Sequence, residues 1–119
     1  MSRILLIDDD DDVRYLVGRM LNDAGYVDVQ EATNGVRGLD SHRQQPCDLV
    51  ITDTNMPGGD GLDMIRALRR DDPNVKIIVM SGERPERLNL ATAYGADRIL
   101  RKPFGRDQLL TAVREVLDT

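Results

Sequence analysis

Short apolar runs and longer amphipathic segments alternate along the whole chain. Five runs of five or six residues read as β-strands: Arg3–Ile7, Val27–Glu31, Asp48–Thr52, Val75–Met80 and Asp97–Arg101. The segments between and after them carry apolar residues at helical spacing. Asp11–Ala24 places Val13, Leu16, Val17, Met20 and Leu21 on one face, and Gly25 stands where a helix-ending glycine belongs. Asn34–Gln44 turns Val36 and Leu39 inward. A Pro/Gly loop, Met56–Gly61, leads into a helix with Leu62, Ile65 and Leu68 inward. Pro85 opens a helix reaching Tyr94, and Gly105–Leu117 closes the chain with Leu109, Val113, Val116 and Leu117 inward.

Strict alternation of strand and helix with short connections implies an α/β protein, a doubly wound five-stranded parallel (βα)5 sheet with helices on both faces. Strand texture suggests the order. Ile4–Ile7, Leu49–Ile51 and Ile77–Met80 are continuously apolar, as strands buried on both faces are, whereas the second and fifth runs are mixed, as edges are. Edges at strands 2 and 5 fit the order 2-1-3-4-5, the flavodoxin-like arrangement.

Bulk properties narrow the function. At 119 residues the chain fits one domain, 1–119, and 40% hydrophobic with 31% charged residues is the composition of a soluble globular protein. A net charge of -5 with scattered basic residues argues against direct nucleic-acid binding. No apolar run is long enough to insert in a membrane, and no signal peptide precedes the first strand. A single cysteine, Cys47, excludes an intramolecular disulfide, fits a reducing cytoplasm and reads as a small buried hydrophobe. His42 reads as a surface residue, and Arg66, Arg69 and Arg70 as a solvated helix face. Met56, Met64 and Met80 read as packing and loop residues. Only two of the 16 basic residues are lysines, Lys76 and Lys102, which makes the position of Lys102 informative.

In an open parallel sheet, ligands sit beyond the carboxyl ends of the strands where the strand order reverses. Asp8 and Asp9 follow strand 1 there, Asp53 follows strand 3, Ser81 follows strand 4 and Lys102-Pro103 follows strand 5. Two like charges at about 4 Å repel by roughly 4 kcal/mol at an effective dielectric near 20. One lysine offsets part of that, and a hard divalent cation offsets more. Mg²⁺ suits a site of few protein oxygens, with Mn²⁺ as its substitute. Asp53 is the candidate nucleophile, able to hold a phosphoryl group as an aspartyl phosphate. The other acids of the Asp8–Asp12 run divide: Asp10 is placed to cap the first helix, and Asp11 and Asp12 to meet its dipole.

These residues closely resemble the receiver domain of two-component response regulators. The motifs are Asp8-Asp9 after ILLI, Asp53-Thr-Asn-Met-Pro-Gly-Gly-Asp-Gly61, Met80-Ser81-Gly82 and Lys102-Pro103-Phe104. The resemblance covers the whole chain, and the natural-looking Met1 favours a single-domain regulator. It implies a phosphoprotein whose Asp53 takes phosphate from a sensor histidine kinase or a histidine phosphotransfer protein. It implies Mg²⁺ held by Asp9, Asp53 and the backbone carbonyl of Asn55, with Asp8 acting through water. Ser81 and Lys102 take the phosphate-binding switch roles, and Met56, Pro57, Gly61 and Pro103 shape the loops. The chain is then a signalling domain rather than an enzyme, promoting its own phosphorylation and dephosphorylation. A downstream effector protein would read the surface of the fourth helix, fifth strand and fifth helix. Ile99 occupies the switch position where the family often has an aromatic. Two alternatives stand beside this reading. One is a phosphorylation-independent, receiver-like interaction module. The other is a Mg²⁺-dependent aspartyl phosphatase, whose family carries an aspartate where this chain has Asn55.

Overall fold

The computed structural model describes residues 2–56, 59–82 and 85–118, and for 55, 56, 59, 60 and 85–88 the backbone but not the side chains. Pro57 therefore lies outside the described residues, as does the side chain of Met56. In chain order the elements are β1 (Arg3–Ile7), α1 (Asp11–Asp23), β2 (Asp28–Ala32), α2 (Gly35–Gln44), β3 (Leu49–Asp53), β4 (Asn55–Met56), β5 (Gly59–Asp60), α3 (Gly61–Asp71), β6 (Lys76–Ser81), α4 (Pro85–Tyr94), β7 (Arg98–Arg101) and α5 (Arg106–Leu117). The main sheet is parallel, in the order β2-β1-β3-β6-β7. That is the 2-1-3-4-5 order expected from strand texture, with the mixed strands at the edges.

Three details of the elements and their faces differ from the sequence expectation. Part of the Met56–Gly61 loop is a two-stranded antiparallel hairpin, β4–β5, pairing Asn55 with Asp60 and Met56 with Gly59. Strands β2, β3 and β6 start and end one residue later than the expected runs; at the ends of β3 and β6 the ladder continues past the last apolar side chain, Asp53 pairing with Met80 and Ser81 with Arg101. Two residues expected inside lie outside. Leu16 is 57% and Val36 71% exposed, while Val17, Leu21 and, in part, Leu39 do the packing. The apolar stripe on each helix is wider than the sheet it covers.

Alternation along the central strands splits the core in two. Leu5, Ile7, Val50, Ile77 and Val79 pack with Leu62, Ile65, Leu68 and Ala91 on the side of α3 and α4. Ile4, Leu6, Leu49, Ile51, Ile78 and Met80 pack with Val17, Leu21, Leu109, Val113 and Val116 on the side of α1 and α5. Gly38 lets α2 lie directly on β1, since a Cβ there would stand 2.2 Å from Ile7 Cδ1. Gly25 follows α1 with φ +99°, the left-handed geometry glycine allows.

Long-range polar contacts brace the frame. His42 is buried rather than on the surface. Its Nδ1 accepts the Cys47 amide at 3.0 Å, and its Nε2 lies 3.0 Å from Asp72 Oδ2, so the ring ties α2 to the start of β3 and to the turn after α3. Arg69 is likewise not free in solvent. It donates to the carbonyls of Pro73, Val75 and Gly95 and to Asp97 Oδ2, closing the α3–β6 and α4–β7 connections together. Cys47 is buried and unbridged, and burial pushes its thiol up to about 11, so it stays a packing residue. Among the described residues, no helix is long and apolar enough to cross a membrane.

Candidate phosphoacceptor site

Sheet pairing builds the site. Because Ile7 pairs with Thr52, the next residues along the two strands, Asp8 and Asp53, emerge side by side where the order reverses. Asp8 is 1% and Asp53 6% exposed, whereas Asp9 faces solvent. One carboxylate oxygen from each of Asp8, Asp9 and Asp53 lies within 4.8 Å of the other two. Lys102 enters from the end of β7, its amide donating to the Ser81 carbonyl at 2.9 Å. Its ammonium then reaches Asp53 Oδ2 at 3.1 Å and Asp8 Oδ2 at 3.7 Å. The Lys102-Pro103 peptide bond is cis.

The first turn of α1 divides the aspartate run as expected. Asp10 caps the helix, accepting from the amides of Asp12 (2.9 Å) and Val13 (3.3 Å), and Asp11 and Asp12 occupy the first turn. Asp8 Oδ1 accepts the Asp10 amide at 2.9 Å. Asp8 Oδ2 is buried, lies 3.7 Å from the Lys102 ammonium and accepts no hydrogen bond among the described residues. Burial raises the Asp8 carboxyl above its ordinary value; the Asp10 amide works against this, and the charge of Asp53 adds to it. Among the described residues, this buried carboxylate oxygen stands beside two more carboxylates and the Lys102 ammonium, a cluster rich in negative oxygens. A small hard cation with oxygen ligands fits it.

Arg14, one helical turn into α1, was not legible as a site-shaping residue. Its Nη1 donates to the Asp8 carbonyl at 2.7 Å, its Nε to Glu31 of β2 at 3.0 Å and its Nη2 to Asp11, pinning the loop that carries Asp8 and Asp9. The i,i+3 spacing of Asp11 and Arg14 was the available signal. Thr54 was missed as well. It is buried after Asp53, and its hydroxyl donates to Ser81 Oγ at 3.1 Å.

The remaining predicted positions are placed as follows. Asn55 begins the β4–β5 hairpin two residues beyond Asp53. Gly61 opens α3 against the site backbone: a Cβ there would lie 2.7 Å from Thr54 Cα and 2.8 Å from the Asp53 carbonyl oxygen. Ile99 is half-buried on the cluster that holds Ala91 of α4. His42, at the opposite end of its helix from the cluster, belongs to the structural network described above.

Comparison with known proteins agrees with this geometry. The sequence model of the response regulator receiver domain matches residues 4–114, and the chain belongs to that family. It is 32% identical over 116 residues to chemotaxis protein CheY of Thermotoga maritima, covering 97% of each chain. It is 32% identical over 118 residues to sporulation initiation phosphotransferase F of Bacillus subtilis, covering 98% of this chain and 94% of that one. Among solved structures, chemotaxis protein CheY4 of Vibrio cholerae superposes with a TM-score of 0.90 at 32% identity, over 98% of both chains. Receiver domains are signalling switches of two-component systems, and they bind Mg²⁺ at an acidic pocket of the kind Asp8, Asp9 and Asp53 make here.

Proposed function

We propose that this receiver domain is a phospho-accepting switch in a two-component circuit or phosphorelay, with Asp53 as the acceptor. The observation that carries the reading is the convergence of Asp8, Asp9, Asp53 and Lys102 around one point at the strand ends.

The donor is a phosphohistidine of a sensor kinase or a phosphotransfer protein. A carboxylate oxygen of Asp53 attacks phosphorus, and the new O–P bond forms as the P–N bond breaks. The bond's electrons stay on the leaving imidazole nitrogen. Little covalent chemistry falls to the protein; positioning and charge stabilisation do the work. Lys102, already 3.1 Å from Asp53, pairs with a phosphoryl oxygen as a compact point charge. Asp9, Asp53 and the Asn55 carbonyl would hold Mg²⁺, with Asp8 acting through water. When bound, the ion supplies neutralising charge to the phosphoryl oxygens. Mn²⁺ would serve in its place.

Phosphorylation adds about -1.5 to -2 charge at Asp53. Ser81 and Lys102 are drawn to it, and the surface of α4, β7 and α5 shifts between two populations. Ile99, which packs under α4, is the side chain placed to follow. A downstream effector protein reads that surface in the cytoplasm, with no direct contact to nucleic acid or membrane. Gly61 and Pro103 shape the loops around the acceptor. The intact mass after incubation with Mg²⁺ and acetyl phosphate tests the reading. The wild type gains one phosphoryl group and Asp53→Asn gains none; equal gain in both overturns the assignment.

A further inference from the structure

Thr54 and Ser81 meet because of register. β3 and β6 pair Asp53 with Met80, and one more step along both strands sets Thr54 beside Ser81. Their hydroxyls are 3.1 Å apart at residues 3% and 0% exposed. Alternation along β6 puts Ser81 on the same face as Ile77 and Val79, the face covered by α3 and α4 and shared with Ile99.

We propose that Thr54 is a positioning residue that latches the Ser81 hydroxyl in its resting orientation and so sets how readily the domain switches. This rests on the reading of Asp53 as acceptor and of Ser81 as the hydroxyl that follows the phosphoryl group. In the resting state each buried hydroxyl has the other as a partner. When Ser81 turns to a phosphoryl oxygen it gains a charge-assisted bond, and Thr54 is left in a buried place without its partner. The latch therefore opposes activation. Valine has nearly the shape of threonine and no hydroxyl. Thr54→Val removes a bond from the resting state and an unpaired group from the active one. Both changes favour the active arrangement, by about three- to tenfold for one such hydrogen bond.

The experiment follows the Ser81 ¹³Cβ resonance of the full chain and the rate of Asp53 phosphorylation by acetyl phosphate with Mg²⁺. Wild-type protein with and without the phosphodonor fixes the two end positions of the resonance. In unphosphorylated Thr54→Val the resonance moves from the resting toward the active position, and phosphorylation is about three- to tenfold faster. Thr54→Ser, which keeps the hydroxyl, stays at the wild-type position and rate. Thr54→Ala, read the same way, repeats the shift if the valine variant folds poorly. A folded valine or alanine variant matching wild type in both readouts, while the wild type is phosphorylated normally, overturns the latch alone. A wild type that takes no phosphoryl group overturns the acceptor assignment and the latch with it.

Discussion

Lys102 and Asp53 are joined by a 3.1 Å ion pair that forms only because β7 and β3 end on the same rim of the sheet, 49 residues apart in sequence. The same ammonium stands 3.7 Å from Asp8, so one cation serves two buried carboxylates. Removing one partner of a buried pair leaves the other charges uncompensated. Lys102→Met is expected to lose about 1–3 kcal/mol of stability in metal-free buffer, at the low end for buried pairs because Lys102 is partly exposed. Added Mg²⁺ should restore more of the loss than it adds to wild type. Thermal melts with and without Mg²⁺ read both numbers, and a variant as stable as wild type without metal contradicts the shared-cation arrangement.

Asp8 makes the site pH-sensitive. Its carboxyl is raised above 3.8, chiefly by burial. Between the unfolded and folded values the native state holds the extra proton, so stability falls as pH rises through that window. Above it the charged Asp8 is a standing cost. Asp8→Asn should therefore melt higher than wild type at pH 7 without Mg²⁺, and the gap should close as pH falls toward 4. A gap that stays constant with pH would place the cost elsewhere.

Gly61 is expected to be intolerant of any side chain. The atoms a Cβ would strike are backbone atoms of Asp53 and Thr54, which cannot move without moving the acceptor. Gly61→Ala should cost about 1–3 kcal/mol, as overpacking does, and slow phosphorylation of Asp53 as well. Gly18→Ala, inside α1 with the nearest atom, Leu6 Cδ1, an ordinary 3.9 Å from a Cβ, serves as the control that should lose neither stability nor phosphorylation.

The His42 network predicts a different pattern, stability without function. His42→Ala leaves the Cys47 amide without its acceptor and should cost about 1–3 kcal/mol. Burial acts to raise the Asp72 carboxyl, but the Asn74 amide and His42 outweigh it and hold it below 3.8. The unfolded state then binds the proton more readily, so this contribution is present above the unfolded value and is lost as pH falls through the folded one. Asp72→Asn should lower the melting temperature at pH 7 and converge with wild type in acid. The phosphorylation rate of Asp53 should be unchanged in both variants; a lost phosphoryl signal in a folded His42→Ala would draw His42 into the chemistry.

Much of the fold was legible because each central strand is an uninterrupted apolar run and each edge strand is not. Strand ends were less legible: Asp53 and Ser81 join their strands by hydrogen bonding, which hydropathy does not record. Helix faces were overread at Leu16 and Val36, since a 3.6-residue period marks a stripe but not how much of it the sheet covers. Asp8, Asp9, Asp53 and Lys102 stood out as charged residues directly after strands, a placement that topology turns into proximity. Thr54–Ser81, Arg14–Glu31, Arg69–Gly95 and His42–Asp72 depend on contacts 17 to 30 residues apart that no local pattern announces.

Locating the phosphoryl group is the most direct test of the central claim. After incubation with Mg²⁺ and acetyl phosphate, proteolysis and peptide mass spectrometry should find a single phosphoryl group, on the peptide containing Asp53. Hydroxylamine should remove it, as it does an acyl phosphate. A phosphoryl group on any other residue, or one stable to hydroxylamine, would contradict the account.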